Sequence, residues 1–228
     1  MFTPFSRPLA RALPLGFVII AVLTAAGRFL ILDGDAWNWG AAGATLAVCA
    51  VGASHWSALR QLDVSPRAWF RSALATLAVW SVALSAVITA AANLMQANSP
   101  YYRLYDRFLA TSGDYHHVDT DGEPYVLEGF GVTAGSITAT FLIVLLVLLT
   151  AGVVGLAVGL SGGQRGLTAA VLIAAVVLTF IIVFAAGIWT VALMTDPRHH
   201  LLRCGVTLAT CAPLALTSLW LTRRALRS

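Results

Sequence analysis

The chain has 228 residues, of which 59% are hydrophobic and only 11% charged, with a formal net charge of +4. A soluble domain carries roughly 25% charged residues, so the composition argues against an ordinary soluble enzyme and leaves no room for a sizeable soluble domain beside several membrane spans. The positive charge does not mark nucleic-acid binding, because the basic residues, all of them arginine, flank apolar stretches instead of forming a patch.

The first 12 residues, MFTPFSRPLARA, read either as a short interfacial helix or as a basic tail. In the first case Phe2 and Phe5 dip into the bilayer while Arg7 and Arg11 stay at the headgroups. Spanning a bilayer takes about 20 apolar residues, and six stretches qualify: 13–32, 40–59, 72–94, 136–159, 167–194 and 204–222. The first is longer than the apolar core of a signal peptide and does not read as a cleavable one.

Arginines sort by side. Arg7, Arg11, Arg60, Arg67, Arg71, Arg165, Arg223, Arg224 and Arg227 fall on one side, and Arg103, Arg107, Arg198 and Arg203 on the other. The positive-inside rule then places both termini in the cytoplasm. Nine of the ten acidic residues fall outside, Asp63 being the exception.

Between spans 2 and 3, RQLDVSPRAWFR at 60–71 is basic, and Pro66 opens a short helix capped by Ser65. Trp69 and Phe70 read as interfacial anchors. The connection at 95–135 is the one long loop and is external. Apolar or aromatic residues at 101, 104, 105, 108 and 109 give Tyr101–Leu109 the spacing of a short amphipathic helix. The remainder reads as turns with a short strand near Tyr125–Leu127. LSGGQRG at 160–166 is a tight inner turn. Its first five residues spell the signature of ABC ATPase domains, but such an ATPase needs a phosphate-binding lysine, and this chain has no lysine.

Few residues suggest chemistry. Arg28, a turn from the outer end of span 1, reads as snorkelling outward to Asp33 or Asp35, with a substrate-facing or inter-helix role as the alternative. His55, near the inner end of span 2, reads as hydrogen-bonded to a neighbouring helix in preference to holding a cofactor. Together Arg28 and His55 form the candidate intramembrane polar site. The outer pairs His116–His117 and His199–His200, with Asp114, Asp119 and Asp121, have metal-ligand chemistry, yet adjacent histidines in an extended segment point opposite ways. Cys49, Cys204 and Cys211 are odd in number and lack paired spacing, which speaks against a disulfide framework or a zinc site. The spans contain no Asp or Glu. Glycines at 152, 155 and 159 and at 40, 43 and 52 permit close helix contact, within the chain or across a dimer.

In order along the chain stand GRFLIL (27–32), DGDAWNWG (33–40), ASHWSALRQLD (53–63), PRAWFRSALATLAVW (66–80) and GVVGLAVGLSGGQRGLTAAVLIAAVVL (152–178). This succession resembles the membrane subunit of an ATP-binding-cassette transporter of the type-2 exporter class, in its divergent actinobacterial form. The resemblance implies that six spans form half of a dimeric pathway driven by a separate ATPase. It makes the segment between spans 2 and 3 the coupling helix, with Ser65, Pro66, Arg67 and Trp69 at the ATPase contact. That class usually carries a re-entrant hairpin between spans 5 and 6; here the long loop lies between spans 3 and 4.

The expectation is therefore an all-α polytopic membrane protein, one domain over 1–228, with six transmembrane helices, both termini cytoplasmic and one external loop. Its function is that of a non-catalytic permease subunit in the bacterial cytoplasmic membrane, without catalytic residue, cofactor or metal. Its partners are an ATP-binding subunit, a second permease chain and the lipid bilayer, with no nucleic acid. Spans free of carboxylates lean toward an apolar or amphipathic cargo. The alternatives are an accessory or sensor protein whose external loop binds a ligand or partner, and a membrane enzyme or redox protein using the outer histidines.

Overall fold

The computed structural model describes residues 4–31, 33–161 and 200–226. It is mostly helical: α1 (Ala12–Leu30), α2 (Gly34–Ser54), α3 (Trp56–Gln61), α4 (Pro66–Asn98), α5 (Ala134–Ser161) and α6 (His200–Ala225), with one two-stranded sheet between α4 and α5. Four helical stretches, Ala12–Leu30, Gly34–Gln61, Pro66–Asn98 and Ala134–Ser161, are long and apolar enough to cross a membrane. They answer to the first four expected spans. The sixth lies within α6, and the fifth, 167–194, lies outside the described residues, as do Arg165, Arg198 and His199. Leu15, Val18, Ile19 and Val22 point outward from α1, an arrangement that suits a hydrocarbon surround and not water.

Span 2 is interrupted. α2 stops at Ser54, His55 turns, and the short α3 continues to Gln61. Asp63 then takes a left-handed conformation with φ of 57°, which Asp tolerates better than most residues, and the chain reverses into α4. Ser65 caps α4 by accepting from the Ala68 N–H at 3.2 Å, with Pro66 in the first turn. The expected cap is therefore present, but it does not open a short separate helix. It starts a 33-residue helix that runs on through the third span.

α5 is the axis of the bundle, packing on α2, α4 and α6, while α1 lies against α2 and α4. Its glycines set the approach. A Cβ on Gly155 would collide with the Leu46 carbonyl, one on Gly159 with the Ala50 carbonyl, and one on Gly152 with the Leu77 side chain. The Gly155–Gly159 pair thus serves packing within the chain. Gly40 and Gly43, by contrast, have nothing near them.

At one end Phe5, Trp56, Leu59, Trp69, Leu156 and Leu226 share a core cluster. Phe5 meets Trp69 edge-on at 5.6 Å, and its N–H donates to Ser72 Oγ at 3.0 Å. The segment before α1 is thus neither an interfacial helix nor a frayed tail, because Phe5 closes the core. The middle of the bundle is filled by Trp80, Leu84, Ile88, Ile143 and Leu148, and Trp80 Nε1 donates to Thr45 Oγ1 at 3.1 Å, tying α4 to α2.

Replacing Gly155 with Ala forces α2 and α5 apart and should cost about 1–3 kcal/mol, read as a lower thermal unfolding midpoint in detergent. Gly43→Ala, on the open face of α2, should leave the midpoint unchanged.

Candidate functional site

The polar centre of the molecule forms at the end opposite α3. Arg28 is 0% exposed and Asp106 is 1% exposed, and they make a direct ion pair between Nη1 and Oδ2. Arg28 makes three further hydrogen bonds. Arg28 Nε donates to the Thr24 carbonyl at 3.1 Å, Nη1 to the Tyr102 hydroxyl at 2.7 Å, and Nη2 to Asn38 Oδ1 at 2.5 Å. Asn38 Nδ2 returns a bond to Asp106 Oδ1 at 2.9 Å, which also accepts the Phe108 N–H at 3.1 Å. The Tyr102 hydroxyl donates to Asp106 Oδ2 at 3.3 Å. Burial, first, and the adjacent Asp106 carboxylate push the Tyr102 hydroxyl well above the ordinary phenol value, so it is a donor at neutral pH.

Local structure delivers each group. Ile31 leaves α1 extended, and Asp33 caps α2 by accepting from the Ala36 N–H at 3.0 Å, which puts Asn38 one turn into α2, level with Arg28. Gly34 lets the loop approach, since a Cβ there would overlap the Asp106 carboxylate. That carboxylate lies beside the first turn of α2, where the helix dipole favours negative charge. Outside the core, Arg107 donates its N–H to Asp35 Oδ1 at 2.7 Å and pairs Nε with Oδ2 at 3.0 Å.

Arg28 therefore does not snorkel to Asp33 or Asp35. Asp33 is spent on the helix cap and Asp35 on Arg107, and Arg28 turns inward to Asp106. The structure makes it a link between elements, the alternative raised from sequence. Asp106, Tyr102 and Asn38 are the partners that sequence reasoning missed. The available signal was the Tyr102–Asp106 spacing within YRLYD, but the helical periodicity assigned there hid it. Tyr102–Tyr105 is a single 3-10 turn, and Tyr102, Phe108 and Leu109 are buried while Leu104 and Tyr105 face out.

The loop has its own scaffold. Gln96 Nε2 donates to the Pro100 and Phe130 carbonyls at 2.8 and 2.9 Å, and its Oε1 accepts the Arg103 N–H at 2.9 Å. Arg103 reaches Thr111 Oγ1 at 3.0 Å and the Gly129 carbonyl at 2.9 Å, and stacks 4.2 Å over Phe130. The expected strand is present as β2 (Pro124–Leu127), paired antiparallel with β1 (Tyr115–Val118), a strand not expected. His116 faces out and His117 packs between Tyr115 and Tyr125. Among the described residues, no three His, Cys, Asp or Glu side chains gather as a metal site would require.

His55 lies at the far end of α2 from Arg28, exposed, with Nδ1 2.8 Å from the Val51 carbonyl of its own helix. The two residues do not form one site, and among the described residues His55 makes no contact of this kind to a neighbouring helix. Of the expected coupling residues, Ser65, Pro66 and Arg67 are exposed, whereas Trp69 is 0% exposed and packs on Phe5 and Trp56. Trp69 is a core residue and neither an interfacial anchor nor a surface group.

Comparison with known protein families, with curated proteins and with solved structures gives no match. Function has to be argued from the molecule itself.

Removing one member of the buried pair leaves the other charge uncompensated, at about 3–5 kcal/mol. Arg28→Met and Asp106→Leu alone should each sharply increase proteolysis of the 99–133 loop. The double variant should recover much of the loss, because no isolated charge remains. Raising the pH tests Tyr102. Its folded-state value is raised, so its contribution is complete below the ordinary value of 10.0 and is lost as pH rises above it; loop protection should fall in that alkaline range, and less so in Tyr102→Phe.

Proposed function

We propose that the chain is the non-catalytic permease subunit of an ATP-binding-cassette transporter, moving a substrate across a bacterial cytoplasmic membrane with a separate ATPase subunit and a second permease chain. The observation that carries this reading is the elbow between α2 and α4. Trp56 and Leu59 anchor α3 in the core, and this turns Ser57, Arg60, Gln61, Leu62 and Asp63 outward together with Arg67. Leu62 is 73% exposed. An apolar side chain held out on a fixed turn among arginines has the make-up of a protein contact, with an aliphatic anchor and a charged rim. In this topology the elbow, Phe5 and Leu226 face the cytoplasm, and the Arg28–Asp106 network closes the outer end. The resemblance of the sequence to type-2 exporter subunits supports the same assignment.

The folded external loop favours a second reading, an accessory or sensor protein. Val118 and Val126 stand exposed on one face of its hairpin, where a partner could add.

A pull-down of the tagged chain from its host in mild detergent, with mass spectrometry and an ATPase assay, separates the two. We expect an ATPase to co-purify and to be lost with Arg60→Glu, Leu62→Asp or Arg67→Glu while the permease still elutes as a single folded species. Trp69→Ala is a different case: truncating a buried aromatic costs about 3–5 kcal/mol and should reduce the yield of the subunit itself. Clean isolation without any ATPase would refute the permease reading and favour the accessory one.

A further inference from the structure

Many threonines in these helices are satisfied in one way. Thr24, Thr45, Thr76, Thr138, Thr140 and Thr150 each donate to the carbonyl four residues earlier. α4 departs from this habit over four consecutive turns. Ser81, Ser85, Thr89 and Asn93 succeed one another at four-residue steps, the first three buried and Asn93 partly so. The three hydroxyls and Asn93 Oδ1 have no hydrogen-bond partner among the described residues. Asn93 Nδ2 is already committed to the Thr89 carbonyl at 2.8 Å, so the free atom of Asn93 is purely an acceptor. Buried polar groups are almost always paired, and a run of four that are not calls for a partner outside the described chain.

The two residues nearest the loop border on space, although their unpaired oxygens are themselves covered. Thr89, 5% exposed, and Asn93 line a groove of about 400 Å³ between α4 and α5, with Ala86 and Ala90 beside them and Ile137 and Phe141 opposite. That volume is within the range of small-molecule sites, roughly 300–1,000 Å³. Thr138 also borders the groove, but its hydroxyl is committed to the Ala134 carbonyl. No charged residue is among its described lining.

We propose that this groove binds an amphipathic molecule with an uncharged head, its alkyl chain lying against Ala86, Ala90, Ile137 and Phe141 and its hydroxyl or amide held by Thr89 and Asn93 once a side-chain rotation brings their oxygens into the groove. The class of head follows from the atoms. Asn93 Oδ1 requires a donor, and Thr89 Oγ1 can donate to the same hydroxyl oxygen or amide carbonyl. A carboxylate, phosphate or ammonium would lose its water here without gaining a counter-charge. Ser85 and Ser81 carry unpaired hydroxyls on the next two turns of α4 but are fully buried and do not line the groove. Identifying this molecule as the transported cargo rests on the permease reading, but the binding site does not.

The test uses the full chain in lipid nanodiscs, without any ATPase. The probe is a long-chain monoacylglycerol carrying a diazirine in its acyl chain, and the comparator is the same chain ending in a methyl group. We expect the monoacylglycerol to cross-link peptides containing 86–93 and 137–141. Thr89→Val with Asn93→Leu should reduce that labelling roughly tenfold, as the loss of two modest hydrogen bonds implies, and Thr89→Ser should retain it. Because the double variant removes unpaired polar atoms, its thermal midpoint should hold or rise, so weaker labelling is not misfolding. Equal labelling of the variant, or equal labelling by the headless chain, would overturn the proposal and leave an ordinary contact with lipid tails. Head-dependent labelling with no ATPase recovered from the host would keep the site and remove the permease reading. An ATPase recovered alongside labelling that ignores the double variant would do the reverse.

Discussion

A guanidinium with no access to water is tolerable only where every donor finds an acceptor and the charge finds its opposite, and the architecture of one end of this protein follows from meeting that demand. Arg28 comes from α1, Asn38 from α2, and Tyr102 and Asp106 from the segment after α4. Three elements are fixed to one another by one planar group. Such a pair adds little net stability over a well-packed apolar alternative. Its effect is on geometry, since only one docking of the loop satisfies all the groups together. Gly34, the Asp33 cap and the Arg107–Asp35 contact make sense as conditions for that docking.

The two ends of the bundle solve different problems. The loop end is closed: the polar network, the Gln96 and Arg103 bonds and the hairpin leave a folded cover over the helices. At the α3 end the segment before α1 is folded inward, with Phe5 under Trp69, and the elbow is pushed outward. Between them α5 is pressed against α2 at glycine contacts that allow no slack. α4 carries a run of polar groups without a partner among the described residues, Ser81, Ser85, Thr89 and Asn93, at four-residue steps.

Much of the helical frame was legible in the sequence, because span length and hydropathy are properties of local composition. The cap at Ser65–Pro66 was legible for the same reason, as was the strand at Tyr125–Leu127. What was not legible depended on partners far along the chain. Arg28 has nearby carboxylates at Asp33 and Asp35, and proximity favoured them; its true partner is 78 residues away. Trp69 has the composition of an interfacial anchor, and only the return of Phe5 to the same place makes it core. The periodicity of Tyr101–Leu109 was real in the letters, but Gln96 and Arg103 tie that stretch into a loop. His55 carried no informative neighbours, and its bond to its own helix is the commonplace outcome.

The separation between Arg28 and Asp106 also bears on how the protein is made. Synthesis runs from the N terminus, so α1 is complete while Asp106 does not yet exist. In a bilayer an unpaired arginine costs about 3 kcal/mol on insertion scales, and of the side chains that finally bind Arg28 only Asn38, ten residues on, is made early. α1 is therefore held provisionally until α4 and the loop behind it have been made. A carboxylate made late completes the placement of a helix made earlier, and a chain halted anywhere between the two would leave α1 with its charge unanswered.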